Sequence, residues 1–401
     1  MGRRRERARA LFRAALDAVD ARAATRRALE RLRAEGALPG GEAPWAVFAL
    51  GKAAAGMLAG AAEVVPIERG VAYAPAPFEA PPGVEVFVGG HPVPCPEAAE
   101  QGRAALRLAA SLGPGERALA LISGGGSALF EVPMPGVRVE ALGEASRRLM
   151  EAGFDIHALN AFRAGLSQVK AGRLAAAIAP ATLLSLVLDD VPGGDPREVA
   201  SGPTAPRSVR VPAAVWEVVP ELRARWEAPP EGPGGRLEVV ADDEAAARAV
   251  VAAARAWGLR VGRAGRLFGE AREVGPRFYA EARARCAAEG LDGLVATGET
   301  TVRVEGPAGR GGRNQELVLA AAPRFEGGLL GALGTDGVDG ASTAAGALLD
   351  AEILAAARGL GRDPAAHLAR HDSEAFFEGT PGRIETGPTG TNVADLTLYL
   401  A

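Results

Sequence analysis

The amino-acid sequence predicts a two-domain α/β protein. Short apolar runs alternate with alanine- and leucine-rich segments of helical periodicity, and several of those runs end in glycine-rich turns. Strands that alternate with helices in this way are typical of parallel sheets built from βαβ units. A stretch rich in proline and glycine at 228–236 divides the 401 residues into two parts, each long enough to form its own core.

The overall composition excludes several classes of protein. A formal net charge of -4 gives no sign of a nucleic-acid-binding surface, and no apolar run approaches the roughly 18 residues that cross a membrane. Cys95 and Cys286 are the only cysteines and lie far apart, which favours a reducing compartment and therefore the cytoplasm. The scarcity of Asn, Gln, Cys and Met is typical of a thermostable protein, but GC-rich coding would also deplete Lys and Asn.

The rarest polar residues indicate candidate functional positions. Among 45 basic residues only Lys52 and Lys170 are lysines, and Asn160, Asn314 and Asn392 are the only asparagines. An ammonium group is a compact point charge, whereas a guanidinium group is a planar fork. Because the chain otherwise uses arginine, we expect the two lysines to mark functional positions.

The first predicted strand, 46–50, follows one or two amphipathic helices over 1–37 and ends at Gly51 and Lys52. Lys52 then begins a helix, where it is expected to face a phosphate or a carboxylate. The GxxxxGK[ST] spacing of a Walker A loop is missing. The alternative is an ordinary surface lysine.

The centre of the chain is the apolar strand 119–122 and the loop that follows it. This loop consists of Ser123, Gly124, Gly125, Gly126 and Ser127. Glycines let a ligand approach the backbone, and their N–H groups together with two hydroxyls favour an anion. The alternative is a tight turn between a strand and a helix, with no ligand.

Three further stretches of the first part carry polar residues. His91 follows a strand and a double glycine, on a loop that holds either a ligand or only backbone hydrogen bonds. We predict a helix over 160–173 that presents Arg163, Ser167 and Lys170 on one face, either to a ligand or to solvent.

Two aspartates, Asp189 and Asp190, end the predicted strand 183–188. Acidic residues at this edge of a sheet can hold Mg²⁺ near phosphates, and acidic turns that cap a helix are the alternative.

The second part begins with a new βαβ-like unit after the linker and contains two unusually polar clusters. A glycine-rich loop opens a helix at Arg313, Asn314 and Gln315, and a strand ends at a turn that contains Asp336 and Asp339. The aspartates are candidates for a metal site or a base, or else form two acidic turns, since the spacing of an EF-hand is absent.

Taken together, these stretches resemble the bacterial and archaeal glycerate 2-kinase family, whose C-terminal part is called the MOFRL domain and many of whose members carry the older label hydroxypyruvate reductase. The matching segments are 51–54, 89–92, 122–129, 160–173, Asp190 with 200–204, 298–302, 311–316, 335–340 and 388–396. Each segment alone is a weak match, but nine matching segments in the same order are a specific signal. This chain differs from the family at Ala171, at 191–195 and at Thr343.

The resemblance implies a Rossmann-like domain over 1–235, a smaller MOFRL-type α/β domain over 236–401, and an active site in the cleft between them. The implied substrates are D-glycerate and ATP with Mg²⁺, and the product is 2-phosphoglycerate. Lys52, Arg313, Asp336 and Asp339 are the expected catalytic residues. Expected to bind substrate or nucleotide are Ser123, Gly124, Gly125, Gly126, Ser127, His91, Asn160, Arg163, Lys170, Asn314, Gln315 and Glu299, with Asp189 and Asp190 for the metal.

Two other functions remain open at this point. A reductase is expected to show G-x-G-x-x-G after a strand with an acidic residue about 20 positions later, and no such unit is found. A non-catalytic phosphosugar-binding protein would explain the serine–glycine loop but not the polar clusters of the second part. The expected partners are small molecules, without nucleic acid or membrane, and a homodimer is compatible with the sequence.

Overall fold

A computed structural model describes residues 2–38, 43–90, 96–232, 234–304 and 306–401. The helices are α1 (Gly2–Ala18), α2 (Ala21–Ala34), α3 (Ala54–Ala62), α4 (Pro96–Ala110), α5 (Gly126–Leu129), α6 (Val139–Glu151), α7 (Ile156–Ala164), α8 (Arg173–Ile178), α9 (Val215–Val218), α10 (Asp243–Ala256), α11 (Ala271–Glu289), α12 (Arg313–Ala321), α13 (Ala351–Gly359), α14 (Pro364–Ala369) and α15 (Ser373–Phe377). Short 3-10 helices cover Pro196–Ser201, Pro220–Arg225 and Ala322–Arg324.

The strands are β1 (Trp45–Leu50), β2 (Ile67–Ala74), β3 (Val84–Val88), β4 (Arg117–Ile122), β5 (Thr182–Leu188), β6 (Arg236–Ala241), β7 (Val261–Arg263), β8 (Leu267–Glu270), β9 (Gly293–Thr301), β10 (Leu329–Gly334), β11 (Gly346–Leu349), β12 (Arg383–Ile384) and β13 (Asp395–Leu400). They form two sheets. Contacts along the chain divide it into two compact units, one of Ala21–Asp189 with Gly194–Val240 and one of Met1–Asp20, Asp190–Gly193 and Ala241–Ala401.

The first unit contains a six-stranded sheet with the order β3-β2-β1-β4-β5-β6. Strands β1 to β5 pair in parallel, and β1, β4 and most of β5 are buried because their residues are almost all apolar. This order is that of the Rossmann fold, in which the chain reverses direction across the sheet between the first and fourth strands. Leu50 and Ile122 are register partners, so β1 and β4 end side by side at that switch point.

A separate apolar cluster in the same unit lies where α6, α7 and α9 meet. Its centre is formed by the fully buried residues Leu149, Phe162, Leu166 and Val215. This cluster fixes α6 and α7, which carry part of the lining of the cavity described below.

The second unit contains a mixed sheet of seven strands in the order β12-β11-β10-β13-β9-β7, with β8 also paired to β9. Strands β9 to β13 pair in antiparallel fashion, whereas β7 and β8 run parallel to β9. Helices α11 and α12 pack so closely that a Cβ at Gly275 would lie 2.0 Å from the carbonyl oxygen of Leu317.

These units differ from the predicted division at 235/236 in three ways, one of which is that the short segment Asp190–Gly193 groups with the second unit. The strand β6 belongs to the first sheet, because it continues the row of strands beyond β5. Helix α1 belongs to the second unit, where its apolar face of Leu11, Phe12 and Ala15 is buried against α10. Arg5 also pairs with Asp350, and amphipathic periodicity alone could not say which core would cover this helix.

Candidate active site

The loops after β1 and β4 are joined to each other at the switch point. The N–H of Lys52 donates to the carbonyl of Gly124 at 2.9 Å, and the N–H of Ser123 donates to the carbonyl of Leu50 at 2.9 Å. Gly51 has φ +113, and a Cβ there would lie 2.4 Å from the carbonyl oxygen of Ser123. Only glycine permits this close approach, so Gly51 sets the path of the chain into Lys52.

The Ser123 hydroxyl serves this junction rather than an open surface. Its Oγ accepts from the N–H of Ala53 at 3.0 Å and donates to the carbonyl of Leu50 at 3.1 Å, and the residue is buried. Ser123 was predicted to bind substrate or nucleotide. The geometry shows that it holds the Lys52 loop, and its predicted contact with a ligand stays a prediction.

Lys52 itself is half-buried at the start of the segment that leads into α3. Among the residues that the structure describes, no carboxylate pairs with its ammonium group. A cation at the carboxyl end of β1, beside the switch point, is therefore free to meet an anion.

The rest of the glycine loop turns sharply into the short helix α5. Gly125 has φ +79, and a Cβ at Gly126 would lie 2.6 Å from the Cβ of Ala200. The hydroxyl groups of Ser127 and Ser201 are hydrogen-bonded at 2.7 Å. Gly124 takes part through its carbonyl, which accepts from Lys52, so its predicted role as an N–H donor to a ligand stays a prediction.

A cavity of about 160 Å³ opens beside this loop. It is lined by Gly125, Ser127, Ala128, Glu131, Val139, Leu142, Gly143, Ser146, Arg163 and Lys170. Arg163 and Lys170 therefore share one cavity, but they do not share the predicted helix 160–173: Arg163 lies on α7, and Lys170 lies beyond its end. Helix α7 ends at Ala164, because Ser167 pairs with Pro133 in an antiparallel bridge instead.

The charged groups in the cavity are arranged as a pair and a single cation. Lys170 Nζ donates to Glu131 Oε2, and both side chains are only 4% exposed. Arg163 Nε donates to the Ser146 hydroxyl at 3.0 Å. Burial lowers the pKa of the Arg163 guanidinium, and the nearby Glu131 charge opposes that effect. Glu131 was not among the predicted site residues, because it follows the apolar end of the glycine segment without any motif.

The remaining predicted residues of the first part are less informative. Asn160 is half-buried and does not line this cavity. His91 lies outside the described residues.

Asp189 and Asp190 follow β5, as predicted, and both are half-buried. No group of three or more His, Cys, Asp or Glu side chains within the described ranges could hold a metal by itself. Mg²⁺ commonly takes one or two carboxylates and completes its shell with water and substrate phosphates, so two adjacent aspartates have suitable chemistry for it.

In the second unit, Arg313 begins α12 and lies between two carboxylates. Its Nε and Nη2 donate to Asp395 at 2.5 and 3.1 Å, and its Nη1 donates to Glu299 at 2.5 Å. Burial raises the pKa of Asp395 to about 7 against the pull of Arg313. Burial lowers the pKa of Arg313, but the charges of Asp395 and Glu299 outweigh that effect and raise it. Glu299, predicted to bind a ligand, thus helps to orient this arginine.

Asp339 caps the N-terminus of α12. One carboxylate oxygen accepts from the backbone and side-chain N–H groups of Asn314 at 2.9 and 3.3 Å, and the other accepts from those of Gln315 at 2.8 and 3.1 Å. Burial raises the pKa of Asp339, and these four donors oppose the rise. A carboxylate with both oxygens engaged in this way is poorly suited to act as a base or metal ligand, although its catalytic role stays untested. Asn314 and Gln315 both contribute donors to this cap, and their predicted contacts with a ligand stay predictions.

Asp336 is the more accessible of the two aspartates. Its Oδ1 accepts from the N–H of Val338 at 3.1 Å, and the residue is half-buried. It lines a cavity of about 680 Å³ together with Thr300, Thr301, Val302, Val304, Ala308, Gly309, Gly311, Gly312, Arg313, Glu316, Val338, Asp339, Gly340, Ala341 and His371.

The wall of this larger cavity contains an ion cluster that the sequence analysis missed. Arg272 donates to Glu316 Oε1 at 3.0 Å, and the His371 ring lies 3.1 Å from Glu316 Oε2. His371 has φ +50, a conformation that non-glycine residues seldom adopt. The scarcity of histidine, with four in the chain, was the one signal that could have drawn attention to it.

The fold and these two groups of side chains define a two-domain α/β protein with a Rossmann-type unit and a second unit built on a mixed sheet. No helix in the described ranges is long and apolar enough to cross a membrane. A family model described as a domain of unknown function, DUF4147, matches residues 7–231, and the MOFRL family model matches residues 293–395.

Known proteins resemble the chain over most of its length. A D-glycerate 2-kinase of Thermotoga maritima is 33% identical, over 88% of this chain and 90% of that protein. A provisionally named hydroxypyruvate reductase of Agrobacterium vitis is 36% identical, over 79% and 88%. The crystal structure of a glycerate kinase of Thermotoga maritima superposes with a TM-score of 0.89 at 31% identity and covers 99% of both chains. The chain therefore belongs to the glycerate 2-kinase family with a C-terminal MOFRL domain.

Proposed function

We propose that this protein is a glycerate kinase that transfers the γ-phosphate of ATP to D-glycerate and forms 2-phosphoglycerate. Relatives named D-glycerate 2-kinase and glycerate kinase, at about one-third identity, support the proposal. The single observation that carries it is the switch point, where Lys52 has no carboxylate partner in the described chain and its loop is bonded to a glycine loop beside a small charged cavity.

Phosphoryl transfer depends chiefly on positioning and on positive charge around the transferring group. A hydroxyl oxygen of glycerate attacks the γ-phosphorus, the new O–P bond forms, and the bond to the ADP oxygen breaks. Lys52 stabilises negative charge on the phosphoryl oxygens, and the N–H groups of the glycine loop act in the same sense. Arg313 retains donor capacity beyond its bonds to Asp395 and Glu299.

The hydroxyl proton of glycerate has to leave during the transfer. Asp336 is the better base of the two predicted aspartates, because Asp339 is occupied by the four donors of α12. Asp189 and Asp190 would hold Mg²⁺, which supplies charge neutralisation at the nucleotide phosphates.

The alternative function is that of a reductase, since the Agrobacterium relative is provisionally named a hydroxypyruvate reductase. In dinucleotide-binding Rossmann folds, the first strand leads into G-x-G-x-x-G. Here β1 leads into Gly51 and Lys52, and the next glycine is Gly56. A kinase therefore fits this junction better than a dehydrogenase.

The test is an assay of purified protein with D-glycerate, ATP and Mg²⁺. We expect ADP release in step with 2-phosphoglycerate, which phosphorus NMR distinguishes from 3-phosphoglycerate. Arg313→Ala should lower turnover by roughly 10²-fold or more if this guanidinium stabilises transition-state charge. Oxidation of NADH by hydroxypyruvate without ADP release would contradict the proposal.

A further inference from the structure

The small cavity of the Rossmann unit contains a buried oxygen atom that has no donor. Glu131 Oε1 is buried without a hydrogen-bond partner within the part of the chain that the structure describes, whereas its Oε2 accepts from Lys170. A buried carboxylate oxygen that lacks a donor costs folding free energy. Because Glu131 also lines the cavity, a ligand that brings a hydroxyl group would satisfy this oxygen.

The same cavity contains one cation in excess. Lys170 and Glu131 neutralise each other, and both side chains are 4% exposed. Arg163 is bonded through Nε to the neutral hydroxyl of Ser146, and none of the described carboxylates forms an ion pair with it. Its two terminal nitrogens therefore remain available for a planar anion, the geometry that a guanidinium fork matches best.

The dimensions of the cavity restrict the ligand. A volume of about 160 Å³ is well below the roughly 300–1,000 Å³ of pockets that hold drug-sized molecules, and nucleotides are of that larger class. The remaining walls are apolar at Val139 and Leu142. A short carboxylic acid with a hydroxyl group matches this size and both polar features.

We propose that this cavity is the acceptor-acid subsite, and that Glu131 determines its specificity for hydroxy acids. Arg163 binds the substrate carboxylate, Glu131 Oε1 accepts a hydrogen bond from a substrate hydroxyl, and Lys170 fixes Glu131 for that purpose. This inference rests on the proposed function for the identity of the acid, D-glycerate. It assigns a role to Glu131, which no motif indicated.

A site that binds a hydroxyl group strongly rejects an analogue that lacks it, because a buried polar atom is then left unpaired. Two analogues of D-glycerate show which of its two hydroxyl groups is recognised. D-Lactate lacks the 3-hydroxyl, and 3-hydroxypropionate lacks the 2-hydroxyl. We expect at least one of them to bind more weakly than D-glycerate by roughly 10²-fold or more.

The test is calorimetric titration of these three acids into the full-length protein without nucleotide. The decisive variant carries Glu131→Leu together with Lys170→Met, which removes the buried pair as a unit and leaves neither of its two members without the other. We expect its affinity for D-glycerate to fall to within about threefold of its affinity for the rejected analogue, because the hydroxyl acceptor is gone and Arg163 remains. Arg163→Gln should weaken all three acids together.

Glu140→Gln is the matched control, because Glu140 is an exposed carboxylate on α6 and does not line the cavity. It should bind like wild type. If the double variant is folded by circular dichroism and keeps the wild-type preference, the inference is wrong. It is also wrong if wild type binds D-glycerate no better than either analogue.

Binding without ATP separates this inference from the proposed function. Selective binding of D-glycerate without phosphoryl transfer would contradict the kinase proposal and support the subsite. Phosphoryl transfer that is unaffected by the double variant would support the kinase and contradict the subsite.

Discussion

Lys52 shows how far composition can identify a functional residue. Its scarcity in the sequence marked the position, and the structure places it at the switch point with its backbone N–H held by Gly124. What the sequence could not supply is the second loop, because β1 and β4 are separated by some 70 residues and meet only through strand pairing.

Lys52→Arg tests whether charge alone is sufficient there. We expect the variant to lose most turnover and to melt near the wild-type temperature, because an ammonium can approach one oxygen where a guanidinium needs more room. Lys52→Ala should be as inactive or more so. The measurement is kcat beside thermal melts. Activity of Lys52→Arg within about twofold of wild type, a barrier change below ~0.5 kcal/mol, would show that any positive charge suffices.

Asp395 should give the fold a distinctive pH dependence. Burial raises its pKa from 3.8 to about 7, so the folded state holds this proton more tightly than the unfolded state. Its contribution to stability is therefore complete below the unfolded pKa and is lost as pH rises through about 7. The excess in unfolding free energy of wild type over Asp395→Asn should shrink between about pH 5 and about pH 8 in denaturant titrations. An excess that grows with pH would mean that the pairing with Arg313 outweighs burial.

At the scale of elements, the strands were more predictable than the connections. The runs of β1, β4 and β5 were identified because burial on both faces leaves an almost unbroken apolar signal. The predicted helix 160–173 stops at Ala164, because Gln168 donates its backbone N–H to the carbonyl of Val132 and its side-chain N–H to the carbonyl of Pro133. Such long-range bonds override local periodicity and leave no trace in a 14-residue window.

Adding one methyl group at Gly51 should disrupt the junction between the Lys52 loop and the glycine loop. Gly51→Ala should destabilise the protein by about 1–3 kcal/mol, because it combines a positive φ with a contact of 2.4 Å, and turnover should fall as Lys52 moves. Gly359→Ala is the control, since a Cβ there meets nothing within 4 Å and the residue ends α13. Denaturant titration and kcat are the measurements. Equal effects of the two substitutions would argue against the junction.

For the molecule as a whole, the sequence predicted two α/β domains but not their membership. The linker 228–236 lies near the true transition, yet β6 follows it and still joins the first sheet. No local pattern distinguishes the last strand of one sheet from the first strand of the next. The role of α1 was equally hidden, because its covering residues begin more than 220 positions later.

Phe12→Ala tests the assignment of α1 to the second unit. Phe12 is 2% exposed, and removing such a side chain typically costs 3–5 kcal/mol. We expect hydrogen exchange to accelerate in α10, β10 and β13, which contact α1, and to change little in β1 and β4. Arg3→Ala on the exposed side of the same helix should alter neither set. Equal acceleration in both sheets would contradict the assignment.

The placement of α1 has a consequence for synthesis on the ribosome. Residues 21–240 emerge with nearly everything that their sheet requires, and can fold while translation continues. Helix α1 emerges earlier still but has to wait for α10, β10 and β13, a delay on the order of 20–80 s at about 5–20 residues per second. Until α10 has emerged, Leu11 and Phe12 lack the helix that covers them. The nascent chain thus offers an early apolar segment to any chaperone that binds such surfaces, until α10, β10 and β13 bury it.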